Sequence, residues 1–426
     1  MSDDDSAEVD SAEVEAPHTR ALTEPTEGTP PVVDTPDSLR RSIDALAAGT
    51  GPVAIDAERA GGYRYGHGAY LVQLRREGSG THLIDPLPFA DLSDLNRALG
   101  DAEWILHAAS QDIPCLVEIG LRAPALFDTE VAARLLGRPK VGLAGLAASE
   151  FGLSLAKEHS AADWSTRPLP QSWLQYAALD VELLIELRLI LKVDLIEAGR
   201  WQWAQEEFDY LRTAPAKAPR TDPWRRVAGI HKARSGRQLA IVRELWQQRD
   251  QLAQDRDIAP GRVLPDKAIA AAALAWPKTR RELEAVAAFQ GRGTKRRIAY
   301  WWQAVERALQ LPEDRLPATV GRSPDEPPPP RSWADRTPAA AARLAEARAT
   351  LTEIADDLQI ASESLLTPDS VRRLCWAPPQ DLSATSIEQS LARFGARPWQ
   401  LSLTVEPLYR ALKDAPPQPR DVKATS

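Results

Sequence analysis

The sequence has few cysteines: Cys115 and Cys375 are the only two in 426 residues. Two cysteines so far apart exclude a disulfide framework and a cysteine-rich zinc site. No apolar run approaches the roughly 20 residues that a membrane helix needs. The acidic start, MSDDDSAEVDSAEVEAP, lacks the basic and apolar parts of a secretory signal. We therefore expect a cytoplasmic protein that does not enter a membrane.

Excess positive charge is also lacking overall, because the net charge is -8, but the charge is unevenly distributed. Residues 1–36 carry ten acidic residues and one arginine, which gives -9, and residues 37–216 carry 25 acidic and 17 basic residues, which gives -8. Residues 217–310 carry 20 basic and nine acidic residues, which gives +11. A basic segment of this kind can neutralise the phosphates of a nucleic acid.

Composition and hydrophobic periodicity divide the chain into six parts. Residues 1–36 are acidic and poor in aromatics, which predicts a disordered tail. Residues 37–216 alternate strand-like and helical patterns and predict an α/β domain with a mixed sheet. Two helical segments follow, residues 217–310 and 333–415, separated by a proline-rich linker over 311–332 and followed by a second disordered tail over 416–426.

Within residues 37–216 the apolar runs 53–55, 69–74, 81–84 and 104–107 predict strands. Helical spacing predicts helices over about 91–99, 111–118 and 129–136, and one long helix over about 173–197. Three successive strands before the first alternating helix indicate a mixed sheet rather than a parallel one.

Two carboxylates follow the first strand. Asp56 and Glu58 are two residues apart, so both side chains point to one side of the strand end, where oxygen ligands can hold a hard cation. A second acid, Asp112, falls in the first turn of a helix that follows the strand 104–107. Its alternative role is to favour that helix dipole. His107, on the apolar strand, is interpreted as a buried histidine with a satisfied hydrogen bond.

The third segment is Gln175-Tyr-Ala-Ala-Leu-Asp180, inside the long helical pattern. Tyr176 and Asp180 are four residues apart and share one helix face, so a phenol and a carboxylate can reach one site together. Packing of the tyrosine in the core, with the aspartate exposed beside it, is the alternative. Four acids and one tyrosine from separate elements match a two-metal phosphodiesterase site, where converging carboxylates hold the cations that stabilise an anionic transition state.

These segments resemble the DEDD exonucleases, which have a ribonuclease H-like fold, and ribonuclease D in particular. The resemblance covers roughly residues 37–216 and rests on Ala54-Ile-Asp-Ala-Glu58, Ala69-Tyr-Leu-Val-Gln-Leu74, Leu106-His-Ala-Ala-Ser-Gln-Asp112 and Asp163-Trp-Ser-Thr-Arg-Pro168. It continues in residues 224–310, which are similar to the HRDC module through Leu245-Trp-Gln-Gln-Arg-Asp250 and Leu264-Pro-Asp-Lys267. Residues 333–415 resemble a second, diverged HRDC-like module.

The resemblance implies a role for each site residue. Asp56 would bridge two Mg²⁺ or Mn²⁺ ions, Glu58 would bind one of them, and Asp112 and Asp180 would complete the metal ligands. Tyr176 would orient the attacking water, and Gln175 occupies the position of the histidine in the other subtype of the family. Asp128 is interpreted as a helix N-cap.

The basic segment supplies the candidate phosphate contacts, which are Lys232, Arg234, Arg237, Arg292, Lys295, Arg296 and Arg297. A solvated basic face is the alternative. Trp301 and Trp302 are interpreted as core residues.

The resulting hypothesis is a monomeric exoribonuclease that hydrolyses RNA with a free 3′ end, such as a tRNA precursor, to nucleoside 5′-monophosphates. A 3′→5′ DNA exonuclease and a catalytically silent nucleic-acid-binding protein remain alternatives. A helicase is excluded, because the dipeptide Gly-Lys, and with it the phosphate loop of the G-x-x-x-x-G-K-[ST] type, occurs nowhere in the chain.

Overall fold

The computed structural model describes residues 19–155, 159, 161–215, 220–319 and 327–414. We call residues 19–215 the α/β domain, residues 220–319 the basic module and residues 327–414 the C-terminal module. The predicted tail over 416–426 and residues 1–18 of the predicted N-terminal tail lie outside the described residues.

The strands of the α/β domain are β1 Arg20–Leu22, β2 Val32–Val33, β3 Thr50–Arg59, β4 Ala69–Glu77, β5 Gly80–Ile84, β6 Glu103–Leu106, β7 Ala125–Asp128 and β8 Leu153–Leu155. Six of them form a mixed sheet at the centre of the domain, in the order β2-β5-β4-β3-β6-β7, and β1 and β8 form a separate two-stranded sheet. Strand β4 runs antiparallel to β3 and β5, whereas β2 and β5, β3 and β6, and β6 and β7 pair in parallel.

Eight helices surround this sheet: α1 Pro36–Ala48, α2 Ser93–Leu99, α3 Ile113–Glu118, α4 Thr129–Leu135, α5 Leu143–Phe151, α6 Gln171–Glu182, α7 Leu184–Glu197 and α8 Trp201–Thr213. Helices cover both faces of the central strand β3, so Val53, Ala54 and Ile55 are all fully buried instead of alternating. The single helix predicted over 173–197 is wrong in one respect, because the chain breaks at Leu183 into α6 and α7.

Residues 19–36 correct the predicted disordered tail. Arg20–Leu22 pairs in parallel with Leu153–Leu155, and Val32–Val33 extends the main sheet beside β5. The Thr26 backbone N–H donates to the carboxylate of Glu182 at 3.0 Å. The composition of this segment predicts that it cannot form a core of its own, but backbone hydrogen bonds at sheet edges do not depend on composition.

The basic module is a helical unit with its own core. Its helices are α9 Gly236–Asp255, α10 Pro260–Val263, α11 Asp266–Ala275, α12 Arg280–Ala285, α13 Arg292–Arg296 and α14 Ile298–Gln310. Leu245, Ile269 and Trp301 lie in this core, fully buried, and Trp302 packs partly buried against it. Leu311 and Leu316, in the predicted linker, also pack against this core.

The C-terminal module comprises α15 Trp333–Arg336, α16 Pro338–Leu358, α17 Ser362–Leu365, α18 Pro368–Trp376, α19 Ala384–Arg393 and α20 Pro398–Asp414. Its buried residues, Leu344, Leu391 and Trp399 among them, belong to the same apolar cluster as Ile55 and Phe127 of the α/β domain. Among the described residues, no helix combines the length and the apolar character that a membrane crossing requires.

Candidate active site

The end of strand β3 presents two carboxylates to helix α6. Asp56 pairs with Gln73 and Glu58 pairs with Leu71 on β4, so all four side chains lie on one face of the sheet. Leu71 lies in a buried cluster with Ala177 of α6, which shows that this face packs under the helix. The alternation of β3 therefore places both carboxylates on one side of the strand, as the sequence predicts, and in the structure that side faces α6.

Helix α6 brings the third carboxylate to the same place. One carboxylate oxygen each from Asp56, Glu58 and Asp180 lies within 4.8 Å of the others. Tyr176 lies one turn earlier on the same face of α6, so its phenol is beside the Asp180 carboxylate. The structure thus joins residues that are more than 120 positions apart in the sequence into one oxygen-rich cluster.

Asp112 lies beside this cluster but has a different partner. It occupies the N-cap position of α3, yet its side chain makes no capping hydrogen bond, so the carboxylate does not serve the helix end. One oxygen is 3.5 Å from the guanidinium of Arg59, the residue after Glu58. Arg59 also donates to the carbonyl oxygen of Gln111 at 2.7 Å. Sequence reasoning missed Arg59, whose only signal was its position directly after the D-x-E triplet.

Asp128 holds the loop that carries Asp112. One of its oxygens accepts from the backbone N–H groups of Glu130 and Val131 and caps α4, as predicted, and accepts weakly from Ala108 at 3.2 Å. The other accepts from Ala109 at 2.8 Å. Burial raises the pKa of Asp128 to about 6 against these hydrogen bonds. Its oxygens are committed to the backbone, which makes Asp128 a positioning residue for the Asp112 loop.

His107 is half-buried rather than buried, and its hydrogen bond is satisfied, as predicted. Its Nδ1 is 2.9 Å from the Thr129 hydroxyl, and burial lowers its pKa to about 4. The imidazole is therefore neutral at physiological pH and does not supply a charge to the site.

Burial and mutual repulsion raise the pKa values of the four acids of the site. Desolvation raises the pKa values of all four acids, and neighbouring carboxylates raise those of Glu58, Asp112 and Asp180 further. Arg59 lowers the pKa of Asp56 but does not offset its burial. Glu58 and Asp112 are buried and Asp56 and Asp180 are half-buried, so the four carboxylates can remain ionised together only if further positive charge is present. Oxygen ligands at this spacing suit hard divalent cations.

Tyr176 is surrounded by aromatic rings. Its ring centroid is 6.4 Å from that of Trp164 and 6.1 Å from that of His159. Desolvation, and then the charges of Asp180 and Glu58, raise the pKa of the phenol well above its usual range. The hydroxyl is therefore protonated and can donate a hydrogen bond at any physiological pH.

Gln73 was also missed by sequence reasoning. It is fully buried opposite Asp56, and neither amide atom has a hydrogen-bond partner among the described residues. A buried amide without a partner is costly, so an apolar side chain would be more stable here if packing were the only requirement. The signal was one polar residue in the apolar strand Ala69-Tyr-Leu-Val-Gln-Leu74.

A cleft of about 290 Å³ opens beside Glu58, and the loop over residues 60–67 forms one wall. The basic module contacts this loop directly. Asp250 accepts from the Tyr65 hydroxyl at 3.2 Å, and Arg262 donates to the Gly62 carbonyl oxygen at 2.8 Å. Arg262 also lies over the Tyr63 ring, 4.0 Å from its centroid. The basic module therefore borders the cleft through the loop that follows the D-x-E strand.

The predicted phosphate contacts separate into two groups. The side chains of Lys232, Arg234, Arg292, Lys295 and Arg296 are exposed and have no partner among the described residues, and Arg297 is half-buried. Arg237 differs, because its guanidinium donates to the carbonyl oxygens of Ala308, Leu309 and Leu311 and pairs with Glu313. Arg237 caps the C-terminal end of α14, and we remove it from the phosphate contacts.

Three family models match the chain: a 3′-5′ exonuclease over residues 30–196, an HRDC domain over 238–305 and a 3′ to 5′ exonuclease C-terminal domain over 326–412. Ribonuclease D of Escherichia coli K12 is 31% identical over 292 residues, which cover 67% of this chain and 76% of the relative. Ribonuclease D of Jannaschia sp. is 32% identical over 301 residues, covering 68% and 76%.

Two crystal structures share most of this fold. A protein from Bifidobacterium adolescentis is 40% identical, with a TM-score of 0.84 over 93% of this chain and all of the other. Escherichia coli RNase D, described as an exoribonuclease involved in structured RNA processing, is 26% identical, with a TM-score of 0.67 over 91% and 99%. The predicted ribonuclease H-like fold with a mixed sheet and helical modules is confirmed.

Proposed function

The chain belongs to the ribonuclease D family of 3′→5′ exoribonucleases, and on this premise we propose that Asp56, Glu58, Asp112 and Asp180 hold two divalent cations, Mg²⁺ or Mn²⁺. The single observation that supports this assignment is the convergence of carboxylate oxygens from Asp56, Glu58 and Asp180 within 4.8 Å. The raised pKa values of the acids fit the same reading, because bound cations supply the missing positive charge.

Each residue has a task that its position permits. Asp56 and Glu58, on a rigid central strand, would bind metal ions at fixed separation, and Asp180 would complete that group from α6. Asp112 would bind a metal ion after exchanging its contact with Arg59. Bound divalent cations supply a nucleophilic water and stabilise charge on the phosphate oxygens. The protonated Tyr176 hydroxyl, beside Asp180, would orient the attacking water.

The proposed substrate is RNA with a free 3′ end, including tRNA precursors, hydrolysed to nucleoside 5′-monophosphates by a monomeric cytoplasmic enzyme. The cleft beside Glu58 is bordered by Arg59 and His67 and is large enough for part of a nucleotide. The exposed cations of the basic module provide phosphate contacts that do not depend on base sequence.

The test compares 3′-labelled and 5′-labelled RNA and DNA with Mg²⁺ or Mn²⁺ present. We expect the wild-type enzyme to release the 3′ label first, as a mononucleotide, and Asp56→Ala to release none. Asp94→Ala is the matched control, because Asp94 is an exposed acid on α2 that pairs only with Arg97. Early release of the 5′ label, or full activity of Asp56→Ala, would contradict the proposal.

A further inference from the structure

One exposed aromatic patch lies at the C-terminal end of α11, in the basic module. The structure describes all 13 tryptophans, and Trp276 is the one that falls in the exposed class, with Leu274 exposed beside it. The other tryptophans pack fully or partly into the protein. Trp276 is 36% exposed, whereas Trp301 of the same module is fully buried.

The backbone at Trp276 does not favour tryptophan either. Its φ of 48° and ψ of 54° are left-handed, a conformation that suits glycine at the end of a helix. The next residue is Pro277, which restricts the backbone before it. A glycine would end α11 with less strain. Backbone geometry therefore does not account for a tryptophan at this position.

Positive charge is concentrated around the ring. The Nζ of Lys278 is 4.1 Å from the Trp276 ring centroid. Arg280 and Arg281 are exposed and have no hydrogen-bond or ion-pair partner among the described residues. Both lie in the first turn of α12, where the helix dipole disfavours cations. The nearest acid in the sequence is Glu282, and its carboxylate accepts from the Lys278 backbone N–H at 2.8 Å and from the Thr279 hydroxyl at 3.1 Å.

We propose that Trp276, Lys278, Arg280 and Arg281 form a platform for single-stranded RNA, with a base stacked on the indole and phosphates bound by the three cations. The proposal rests on the proposed function, because it assumes that RNA is the ligand. Unpaired bases expose the faces that stack on aromatic rings, whereas a duplex buries them, so the platform selects single strands. Local features that oppose folding stability often mark a functional site.

The position of the platform sets the length of RNA that reaches it. Helix α11 follows α10, whose Arg262 contacts the loop beside the active site. Because α11 has 10 residues, its two ends lie about 15 Å apart. We therefore expect the platform to contact nucleotides upstream of the 3′ end, and a trinucleotide at the active site to depend little on it.

The experiment measures degradation of single-stranded RNA of increasing length by the wild-type, Trp276→Gly and Trp276→Phe enzymes. Trp276→Gly should raise the KM for a 30-nucleotide strand about tenfold, which corresponds to about 1.4 kcal/mol. Its kcat and its turnover of a trinucleotide should not change. Its thermal unfolding midpoint should be equal to or above that of the wild type, because glycine suits the left-handed backbone. The KM of Trp276→Phe for the 30-nucleotide strand should lie between those of the wild type and Trp276→Gly.

Lys192→Ala is the matched control, because Lys192 makes the same contact with Trp201 on the α/β domain, at 4.9 Å. It should leave the KM for long RNA unchanged. An unchanged KM in Trp276→Gly would overturn the platform, and so would an equal loss on the trinucleotide. RNA affinity measured in an Asp56→Ala background decides the platform without turnover. A wild-type enzyme that degrades no RNA would instead overturn the proposed function.

Discussion

The basic module and the C-terminal module are both helical and both contact the α/β domain, but through different chemistry. The basic module has a separate apolar core and contacts the loop over residues 60–67 largely through hydrogen bonds, an ion pair and the Tyr65 ring. The C-terminal module has no separate core, because its buried residues form one cluster with the central sheet. One module is attached to the catalytic fold, whereas the other completes it.

Specific contacts reinforce this difference. Trp399 of α20 stacks on Trp203 of α8 at 4.8 Å between ring centroids and donates from Nε1 to Glu207. Arg200 donates to the carbonyl oxygens of Leu135 and Leu358, both at 2.6 Å, and so joins the C-terminal ends of α4 and α16. A single guanidinium thus satisfies helix ends from both parts. We infer that the α/β domain and the C-terminal module unfold together.

The largest expected effect comes from truncating one buried tryptophan in each module. Trp399→Ala and Trp301→Ala should each cost about 3–5 kcal/mol of local stability. Trp399→Ala should remove activity on a trinucleotide, because the α/β domain loses part of its own core. Trp301→Ala should keep that activity and lose only affinity for long RNA. Circular dichroism melts and trinucleotide assays on both variants provide the measurement.

Each of these two variants is the control for the other, since both replace a buried tryptophan with alanine. Equal loss of trinucleotide activity in both would show that the basic module is also part of the catalytic folding unit. Full trinucleotide activity in Trp399→Ala would show that the shared core is not required.

The next effect belongs to the α/β domain alone. Tyr176→Phe removes the hydroxyl beside Asp180, and we expect turnover to fall about 10²-fold, roughly 3 kcal/mol of barrier. The factor should be equal for short and long RNA, because neither module contributes to it. Single-turnover rates and a metal titration check this, with metal affinity nearly unchanged. A near wild-type rate would contradict the proposal that Tyr176 orients the attacking water.

Much of the α/β domain could be predicted because its signals are local. Asp56 and Glu58 follow from strand alternation, Tyr176 and Asp180 from helical spacing, and Asp128 from the preference of aspartate for N-caps. Each inference needs only a few neighbouring residues. The convergence of these segments could not be calculated from spacing and followed from resemblance to a known family.

The errors arise where partners are distant in the sequence. In the sequence Arg237 looks like a free cation. In the structure the carbonyl oxygens at the end of α14, more than 70 residues later, accept its hydrogen bonds. The segment over residues 19–36 looks too polar to fold, but its partners are strand edges at Leu153 and Leu83. The predicted second HRDC-like domain looks independent because its helical periodicity shows which residues are buried but not which core receives them.

A smaller effect is expected on stability, whose dependence on pH and on Mg²⁺ should differ between the two modules. The folded-state pKa of Asp56 is raised to about 6 and that of Asp112 to about 8, so metal-free folded protein binds more protons than the unfolded chain. Its stability should therefore fall as pH rises from about 4 to 8. Mg²⁺ should raise and flatten this profile for the unit that contains the active site. The unfolding transition of the basic module should not respond to Mg²⁺.

Calorimetry at several pH values, with EDTA or with Mg²⁺, measures this. EDTA should also abolish hydrolysis, and Mg²⁺ or Mn²⁺ should restore it. An Asp56→Asn/Asp180→Asn variant is the control, because it removes two of the raised carboxylates and should show a shallower profile. A metal-free enzyme that becomes more stable towards pH 8 would contradict the assignment of the carboxylate cluster.

The smallest expected effect tests the contact between the basic module and the active-site loop. Tyr65→Phe removes the hydrogen bond to Asp250, worth about 1 kcal/mol, and keeps the ring that packs on the basic module. The KM for a hairpin RNA with a 3′ tail should rise several-fold, because the loop and the module are held together less firmly. Turnover of a trinucleotide should stay constant.

Tyr63→Phe is the matched control, since the Tyr63 hydroxyl donates to Ala161 inside the α/β domain. Asp250→Ala should have a similar effect, and the double variant should be no worse than Asp250→Ala alone. Fully additive effects of Tyr65→Phe and Asp250→Ala would show that this hydrogen bond does not couple the basic module to the active site.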